Sequence, residues 1–270
     1  MILRLSLFST LALGATLLAS PARAQSVAET VGERAENRGG EGEGHLVLAY
    51  KCAPKDRAAF REHMDTKGVA RFEEWKSRGT VKNYLILFST VSNESLNDMW
   101  VILDFEKFAD IAGWWKIEEK FPAGLGADGL ALATPKSCVY TDLPWRGGTP
   151  NADLSQSVFM IIPYQTLVPV AKYNDFVESY VIPQLKGWVK SGLMPSYQIH
   201  MDQNPTNSPW DSLLVFEYNG IKGISLRDTL KNDVRKLLKD DAGYRKYSPI
   251  KLTIRKEDQP TTYVAILPKK

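Results

Sequence analysis

WVKSGLMPSY at residues 188–197 repeats WKSRGTVKNY at residues 75–84, an offset of 113 residues (188 minus 75). The same offset carries Asp98 onto Asp211, and no gap is needed between about residues 45 and 111. An offset that holds over this length indicates one unit used twice within the chain. The duplication says more about architecture than about chemistry.

The first 24 residues have the pattern of a secretory signal peptide. Arg4 supplies a positive start, residues 5–19 form an uncharged apolar run, and Ala-Arg-Ala at residues 22–24 offers a cleavage pattern. The run is shorter than the ~20 residues that a membrane-spanning helix needs. We therefore expect an exported protein, periplasmic or extracellular, that begins near Gln25 without stable membrane insertion. An uncleaved amphipathic anchor is the alternative.

The charge balance gives no reason to expect a polyanionic partner. The 270 residues contain 34 Lys and Arg against 31 Asp and Glu, a net charge of +3. Removal of residues 1–24, which include Arg4 and Arg23, lowers the net charge to +1 (32 minus 31). The most basic region, residues 227–256, alternates its cations with Asp, as a solvated helix face does. We expect no nucleic-acid partner.

Composition marks the domain boundaries. Residues 25–44 are rich in Gly, Glu and Arg and contain almost nothing bulky to bury, so we expect a flexible leader. The two repeats are expected at residues 45–143 and 157–270. Pro and Gly residues within residues 144–156 indicate a linker between them.

Both copies have the same predicted order of elements. An apolar strand opens each copy, at residues 45–50 and 158–162, and an amphipathic helix with a repeated tryptophan, Trp75 or Trp188, follows. Core packing explains the tryptophan better than ligand stacking, because it lies on the apolar stripe. A hairpin, a second helix and a final strand complete each copy. Pro183 predicts a kink in the second copy alone.

The predicted strands are apolar on both faces and need cover on both. Helices can cover only one face of each sheet, so the other face is expected to lie against the second copy. In this respect the tandem resembles the dimeric α/β-barrel superfamily over residues 45–267. The resemblance implies an α+β fold in which two tandem ferredoxin-like (βαββαβ) repeats pack sheet to sheet as an intramolecular dimeric α/β barrel. Final strands are predicted at residues 137–141 and 263–267, with an optional strand at residues 250–255.

The resemblance also implies a disulfide. In that topology the first and last strands of a unit run side by side and antiparallel. Cys52 ends the first strand, Cys138 begins the fourth, and the chain has two cysteines in all. Export would place both thiols in an oxidising compartment, so we expect a bridge between them. Two separate thiols are the alternative.

The sequence lacks the common motifs for metal and cofactor binding. Its three histidines, His45, His63 and His200, do not have metal-ligand spacing, and there is no HExxH or CxxC. No nucleophile elbow, phosphate loop or dinucleotide fingerprint occurs either. We therefore predict neither a metal site nor a cofactor.

His200 is the candidate for acid–base chemistry. It shares a strand face with Gln198 where the first copy has leucines, and such polar replacements suggest an asymmetric cavity. A histidine there can exchange a proton near neutral pH, although a histidine hydrogen-bonded at a strand edge would show the same pattern. Asp104 and Glu217 occupy equivalent strand positions, where they could contact a ligand or be exposed to solvent. The full set of candidate ligand contacts is Gln198, Trp100, Tyr164, Asp104 and Glu217.

The resemblance leaves three functions open. Relatives in the superfamily include cofactor-independent monooxygenases, haem-degrading enzymes and haem-dependent chlorite dismutases. The haem proteins resemble one another in using a histidine on a helix, which residues 106–120 and 220–239 lack. The first hypothesis is an exported protein that holds a small apolar or aromatic molecule between its sheets. The second is a cofactor-independent monooxygenase or isomerase with His200 as acid or base, and the third is a structural or assembly protein without a ligand.

Overall fold

The computed structural model of the chain describes residues 42–206 and 208–268. The predicted signal peptide and almost all of the predicted leader lie outside the described residues. The described part contains nine strands, in chain order β1 (Gly44–Cys52), β2 (Asn83–Ser89), β3 (Met99–Phe105), β4 (Ala133–Gly148), β5 (Val158–Thr166), β6 (Ser196–Asp202), β7 (Ser212–Tyr218), β8 (Arg255–Glu257) and β9 (Thr261–Ile266).

Helices connect the strands in both halves. They are α1 (Arg57–His63), α2 (Val69–Ser77), α3 (Ile111–Glu118), α4 (Ala127–Leu132), α5 (Val170–Phe176), α6 (Ile182–Lys190), α7 (Gly220–Leu237), α8 (Ala242–Tyr247) and α9 (Lys251–Ile254). Two π-helical turns make α1 continuous with α2 and α5 continuous with α6. Among the described residues, no helix combines the length and the apolar character needed to cross a bilayer.

The strands form one antiparallel sheet that closes on itself. Its order is β7-β6-β4-β1-β3-β2-β9-β5-β8, and β5 also pairs with β7. Eight strands therefore make a barrel, and β8 extends one end of β5. The expectation of two sheets packed face to face is corrected here, because the edge strands of the two halves pair directly. β2 pairs with β9, and β4 pairs with β6.

The two halves use the same strand order. The first half lies in the order β4-β1-β3-β2 and the second in the order β9-β5-β7-β6. In each half this is the fourth, first, third and second main strand. The halves therefore contribute equally to the barrel, and each completes the sheet that the other leaves open.

Alternation along the strands separates an inner layer from an outer one. On β1, Leu46 and Leu48 pack under the helices of the first half, whereas Val47 and Ala49 point into the barrel. A corresponding outer core lies under the helices of the second half. Apolar side chains from both halves fill much of the interior: Val47, Ala49, Leu87, Trp100, Ile102, Val139, Phe159, Ile161, Trp210, Leu213, Val215 and Tyr263. These two layers explain why the strands are apolar on both faces.

The irregular parts of the helices also repeat at the offset of 113. Both halves contain a π-helical turn, Met64–Gly68 and Val177–Val181. Pro183 lies in the first turn of α6, directly after the second π-helical turn, so the proline coincides with an irregularity of the continuous helix. The predicted kink in the second copy alone is therefore wrong, because the first copy has the same irregularity without a proline. Gly79 and Gly192 follow the helices with φ of 71° and 75°, the left-handed conformation that favours glycine.

The predicted disulfide is not formed, and both thiols are free. β1 and β4 pair as expected, but Cys52 lies opposite Ala133 and Cys138 lies opposite Leu48. Four residues of β1 separate the two positions, which is about 13 Å at the rise of a strand. A disulfide needs Cα atoms closer than about 7 Å. The prediction failed because β4 begins at Ala133, before the expected residue 137.

Two other segments differ from expectation. β4 continues to Gly148, within the segment predicted as a linker, and its last residues pair with β6. The optional strand at residues 250–255 is instead the helix α9 followed by the short strand β8. The backbone at residues 251–257 consequently turns from the outer helices to the edge of β5.

Candidate functional site

Polar side chains gather at one end of the barrel interior. The inward face of β1 starts with His45 before Val47 and Ala49 continue it as apolar core. The inward face of β6 carries Gln198 and His200. Because β1 and β6 both pair with β4, these side chains meet inside the barrel, and a polar cluster replaces the apolar filling at this end.

His200 lies at the centre of this cluster and is 0% exposed. Its Nδ1 is 3.0 Å from Thr141 Oγ1, and its Nε2 is 3.2 Å from Gln198 Oε1. Burial, and then the neighbouring His45, hold the pKa of His200 well below its usual 6.5. In the neutral ring Nε2–H donates to Gln198 and Nδ1 accepts from the Thr141 hydroxyl, which satisfies all three groups. The alternative of a hydrogen-bonded histidine at a strand edge is wrong about the place, since β6 is paired on both sides, and agrees with the hydrogen bonds of the ring.

His45 connects His200 to a carboxylate. Its Nδ1 is 2.9 Å from Asp104 Oδ1, because the β1–β3 register places the two residues directly opposite each other. The rings of His45 and His200 meet edge to face, with centroids 5.9 Å apart. His45 is buried, whereas the Asp104 side chain is 29% exposed. Asp104 is therefore the member of the His200–His45–Asp104 contacts that is exposed to solvent.

Glu217 is a second carboxylate at this end, and it is 1% exposed. It accepts hydrogen bonds from Ser157 Oγ at 2.6 Å, Ser196 Oγ at 2.7 Å and the backbone N–H of Asn151 at 3.1 Å. Three donors offset the cost of burying this carboxylate, which has no ion pair with the described residues. The expectation of solvent exposure for this residue is therefore wrong.

A cavity of about 280 Å³ opens beside these groups and is named here the barrel-end cavity. Asp104 of β3, Gln198 of β6 and Glu217 of β7 line it, and α2 adds Glu73 and Lys76. Its apolar walls include Leu85, Ile86, Ile102, Pro150, Leu154, Phe159 and Ile266. Two carboxylates and one amide from three strands thus line a mainly apolar space.

The two histidines lie one hydrogen bond behind the barrel-end cavity. His45 contacts Asp104, and His200 contacts Gln198. Asp104 can accept a proton or a cationic group from a bound molecule, while His45 orients the carboxylate from behind. His200 is enclosed and neutral, so its contacts suit the positioning of Gln198.

The remaining predicted site residues lie elsewhere. Trp100 is inside the barrel core, where its Nε1–H donates to Tyr263 Oη at 3.0 Å. Tyr164 lies on the outer face of the sheet, where its hydroxyl donates to Glu257 at 2.6 Å. The structure thus brings His200, Gln198, Asp104 and Glu217 together and leaves these two apart.

Sequence reasoning missed several members of the cluster. In the sequence His45 stands out only as a histidine without metal-ligand spacing, and no pattern distinguishes Thr141, Ser157 or Ser196. Each of the four contacts a predicted residue through a cross-strand or loop contact. The signal that could have found His45 is its place at the start of an inward strand face, opposite the acidic Asp104.

A second cavity, of about 130 Å³, lies between the sheet and the helices of the second half and is named here the helix-side cavity. Its lining contains no His, Cys or Met, and its three tyrosines, Tyr164, Tyr180 and Tyr218, surround a space slightly smaller than the ~150 Å³ cavity that holds benzene. A haem group therefore does not fit it. Among the described residues, no three His, Cys, Asp or Glu side chains are grouped to hold a metal ion.

Comparison with family models and with curated proteins finds no match. Solved structures include similar folds. A proposed monooxygenase from Lactobacillus acidophilus NCFM has 12% identity, covers 83% of this chain and 94% of its own, and superimposes with a TM-score of 0.50. A variant of chlorite dismutase from Candidatus Nitrospira defluvii has 7% identity, with 89% and 96% covered and a TM-score of 0.50. A proposed monooxygenase from Fusobacterium nucleatum has 12% identity, with 83% and 92% covered and a TM-score of 0.50.

At these identities the similarity shows the fold alone. The shared fold is an α+β arrangement with a large antiparallel sheet, and these neighbours agree with the superfamily resemblance predicted from the sequence. No particular family is identified by them. What this chain does must therefore be argued from its own residues.

Proposed function

We propose that the chain is a tandem of two ferredoxin-like units whose shared barrel binds a small molecule in the barrel-end cavity. The observation that carries the proposal is the convergence of Asp104, Gln198 and Glu217 on this 280 Å³ space. Binding sites for small molecules combine mainly apolar walls with a few oriented polar groups, and this cavity has that composition. The order of strands in each half, fourth, first, third and second, supports the ferredoxin-like assignment.

The charge and size of the cavity define the ligand class. Its lining contains Glu73, Asp104 and Glu217 against the single cation Lys76. Negative charge therefore predominates in the lining, and the partly exposed Asp104 is the carboxylate that a protonated amine or another hydrogen-bond donor of a ligand would meet. The volume is roughly twice that of a cavity that holds benzene, which suits a bicyclic aromatic body against Phe159.

Tryptamine is a probe of this class, and isothermal titration calorimetry measures its binding. Indole-3-acetate is the matched counterpart, because a carboxylate replaces the amine on the same ring. Tryptamine should bind saturably and at least about tenfold more tightly than indole-3-acetate. Equal affinities, or no binding of either, would contradict the proposal.

Asp104→Asn tests the residue that meets the ligand. The substitution keeps the shape of the side chain and removes its charge, so tryptamine should bind about tenfold more weakly. Glu94→Gln is the control, because Glu94 lies exposed in the β2–β3 connection. This substitution changes the net charge by the same amount. If both variants bind tryptamine like the unchanged protein, Asp104 is not part of the site.

Acid–base catalysis in the same cavity is a second candidate function, favoured by the Asp104–His45 pair at 2.9 Å. A carboxylate that is partly exposed on one side and held by an imidazole on the other can take up and return a proton. Native mass spectrometry of the purified protein would identify a retained molecule, whose conversion can then be followed by chromatography. Conversion that proceeds at the same rate in His45→Ala and His200→Ala would exclude this candidate.

We propose export on the sequence pattern of residues 1–24. N-terminal sequencing of the protein from its native source should find Gln25 at the start of the mature chain. An intact Met1 would contradict export by signal cleavage.

A further inference from the structure

The helix-side cavity is surrounded by positive charge. Five cations and one acid line it: Arg227, Lys231 and Arg235 of α7, Lys251 of α9, and Arg255 and Glu257 of β8. A spacing of four residues places the three cations of α7 on one face of the helix. Glu257 already accepts the Tyr164 hydroxyl. Arg227 also lies 3.6 Å from the exposed Asp228, and Arg235 donates to Gln184 at 3.0 Å. The lining as a whole still contains five cations against one acid.

Two buried donors of the lining have no acceptor. Trp188, which is 8% exposed, has an unpaired Nε1–H, and Arg255 has an unpaired Nη1, when the described residues are searched. Buried polar groups are normally hydrogen-bonded, and each exception calls for an explanation. An acceptor that occupies the cavity would satisfy both groups.

The first half shows how this space can be filled. There Trp75, the equivalent of Trp188, packs edge to face against Trp114 with centroids 5.5 Å apart. In the second half Trp188 instead lines the cavity together with Arg227 of α7. The first half therefore fills the space beside its tryptophan with a second aromatic ring, whereas the second half has a cation and a cavity there.

Lys231 is the central cation of the helix face. Lys231 makes no ion pair with any described residue, and the attraction of Asp228 and Glu257 is the smallest of the influences on its pKa. Burial, and then Arg227 and Arg235, lower the pKa of Lys231 to about 8. An anion beside this amine would offset both the burial of the charge and the repulsion from the two arginines.

We infer that the helix-side cavity is a second binding site, for a small carboxylate with an aromatic or branched apolar body. Lys231, Arg227 and the free donors of Trp188 and Arg255 would hold the carboxylate. Tyr164, Leu185 and Phe216 would contact the apolar body. A cavity of about 130 Å³ matches a single benzene-sized ring. The site is separate from the barrel-end cavity and differs from it in charge.

Benzoate is the probe, and the indole N–H of Trp188 is the reporter. A ¹⁵N spectrum resolves the indole signals of the seven tryptophans, and Trp188→Phe assigns the one that matters. Benzoate should shift the Trp188 signal saturably. Benzamide has the same ring without the charge and should bind at least about tenfold more weakly.

Lys231→Met tests the charge requirement. It keeps most of the side-chain volume and should remain folded, because Lys231 has no ion pair to lose. Benzoate should bind this variant about tenfold more weakly. Lys236→Met is the matched control on the same helix, since Lys236 is mostly exposed and pairs with Asp233. Its affinity for benzoate should be unchanged.

Three results would overturn the inference. One is the absence of a saturable Trp188 shift at benzoate concentrations up to about 50 mM, well above the ordinary range of specific ligands. Another is equal binding of benzoate and benzamide. The third is an equal effect of Lys231→Met and Lys236→Met, which would show a response to net charge alone. Tryptamine binding in Lys231→Met should stay unchanged. The proposal for the helix-side cavity and the proposal for the barrel-end cavity can therefore be contradicted independently.

Discussion

At the scale of single residues, His200 makes stability depend on pH. Its pKa in the folded protein is held well below 6.5, so below pH 6.5 the unfolded chain binds a proton that the folded chain does not. The contribution of neutral His200 to the free energy of unfolding is therefore fully present above pH 6.5. It is lost as the pH falls, by at most about 1.4 kcal/mol per pH unit. Urea unfolding at pH 7.5 and 5.5 measures the loss, and His200→Gln should reduce it. An equal loss in both proteins would assign the pH dependence to other groups.

Cys52 and Cys138 provide a second test at this scale. The register of β1 and β4 separates them, so both thiols should be free. Burial, and then Asp98, raise the pKa of Cys52 to about 11, which makes it unreactive in the folded protein. Alkylation of the denatured, unreduced protein should therefore add two groups by mass. Modification that appears only after reduction would restore the predicted bridge.

At the scale of elements, two helical glycines have opposite roles. A Cβ at Gly187 of α6 would lie 2.4 Å from Val234 of α7, so the glycine allows these helices to approach closely. A Cβ at Gly113 of α3 would meet only Thr80 at 3.5 Å, an ordinary contact. Gly187→Ala should cost about 1–3 kcal/mol through overpacking. Gly113→Ala should instead stabilise by up to about 1 kcal/mol through helix propensity. Thermal unfolding compares them, and equal effects would contradict the packing argument.

Pattern and offset predicted most of the elements, and β4 shows where they fail. Its residues include Pro135 and Pro144, which indicate strand ends when only the sequence is known. In the structure each proline lies beside a shift in register, one in the pairing with β1 and one in the pairing with β6. The strand therefore continues past both. The cavity beside Arg227 was missed for a related reason, since the spacing of charges on α7 looks like that of an exposed helix face.

At the scale of the whole molecule, the barrel should unfold as one unit. Strand pairs join the halves along both edges, and the interior core contains residues from both. Tryptophan fluorescence and far-UV circular dichroism should therefore give coincident urea transitions. Leu87→Ala, inside the barrel, should lower the free energy of unfolding by about 2–5 kcal/mol. The urea transition should move to a lower concentration and remain single. Two separated transitions would show that the halves fold independently.

The register between strands decides which candidate residues meet, and a single sequence does not contain it. The polar face of Gln198 and His200 was visible as a difference between the copies. The contact of His45 with Asp104 was not, because it depends on the pairing of β1 with β3. The function stays a proposal for the same reason: the fold is shared with proteins of 7–12% identity, and the groups that line each cavity belong to this chain.

The covalent connection between the halves has an evolutionary consequence. In a barrel assembled from two identical subunits, every mutation occurs twice, once on each side of the symmetry axis. A duplicated gene removes that restriction. One copy could keep Leu87 as packing while the other acquired His200 at the equivalent position. Fusion thus permits a division of labour in which one half preserves stability while the other is free to specialise.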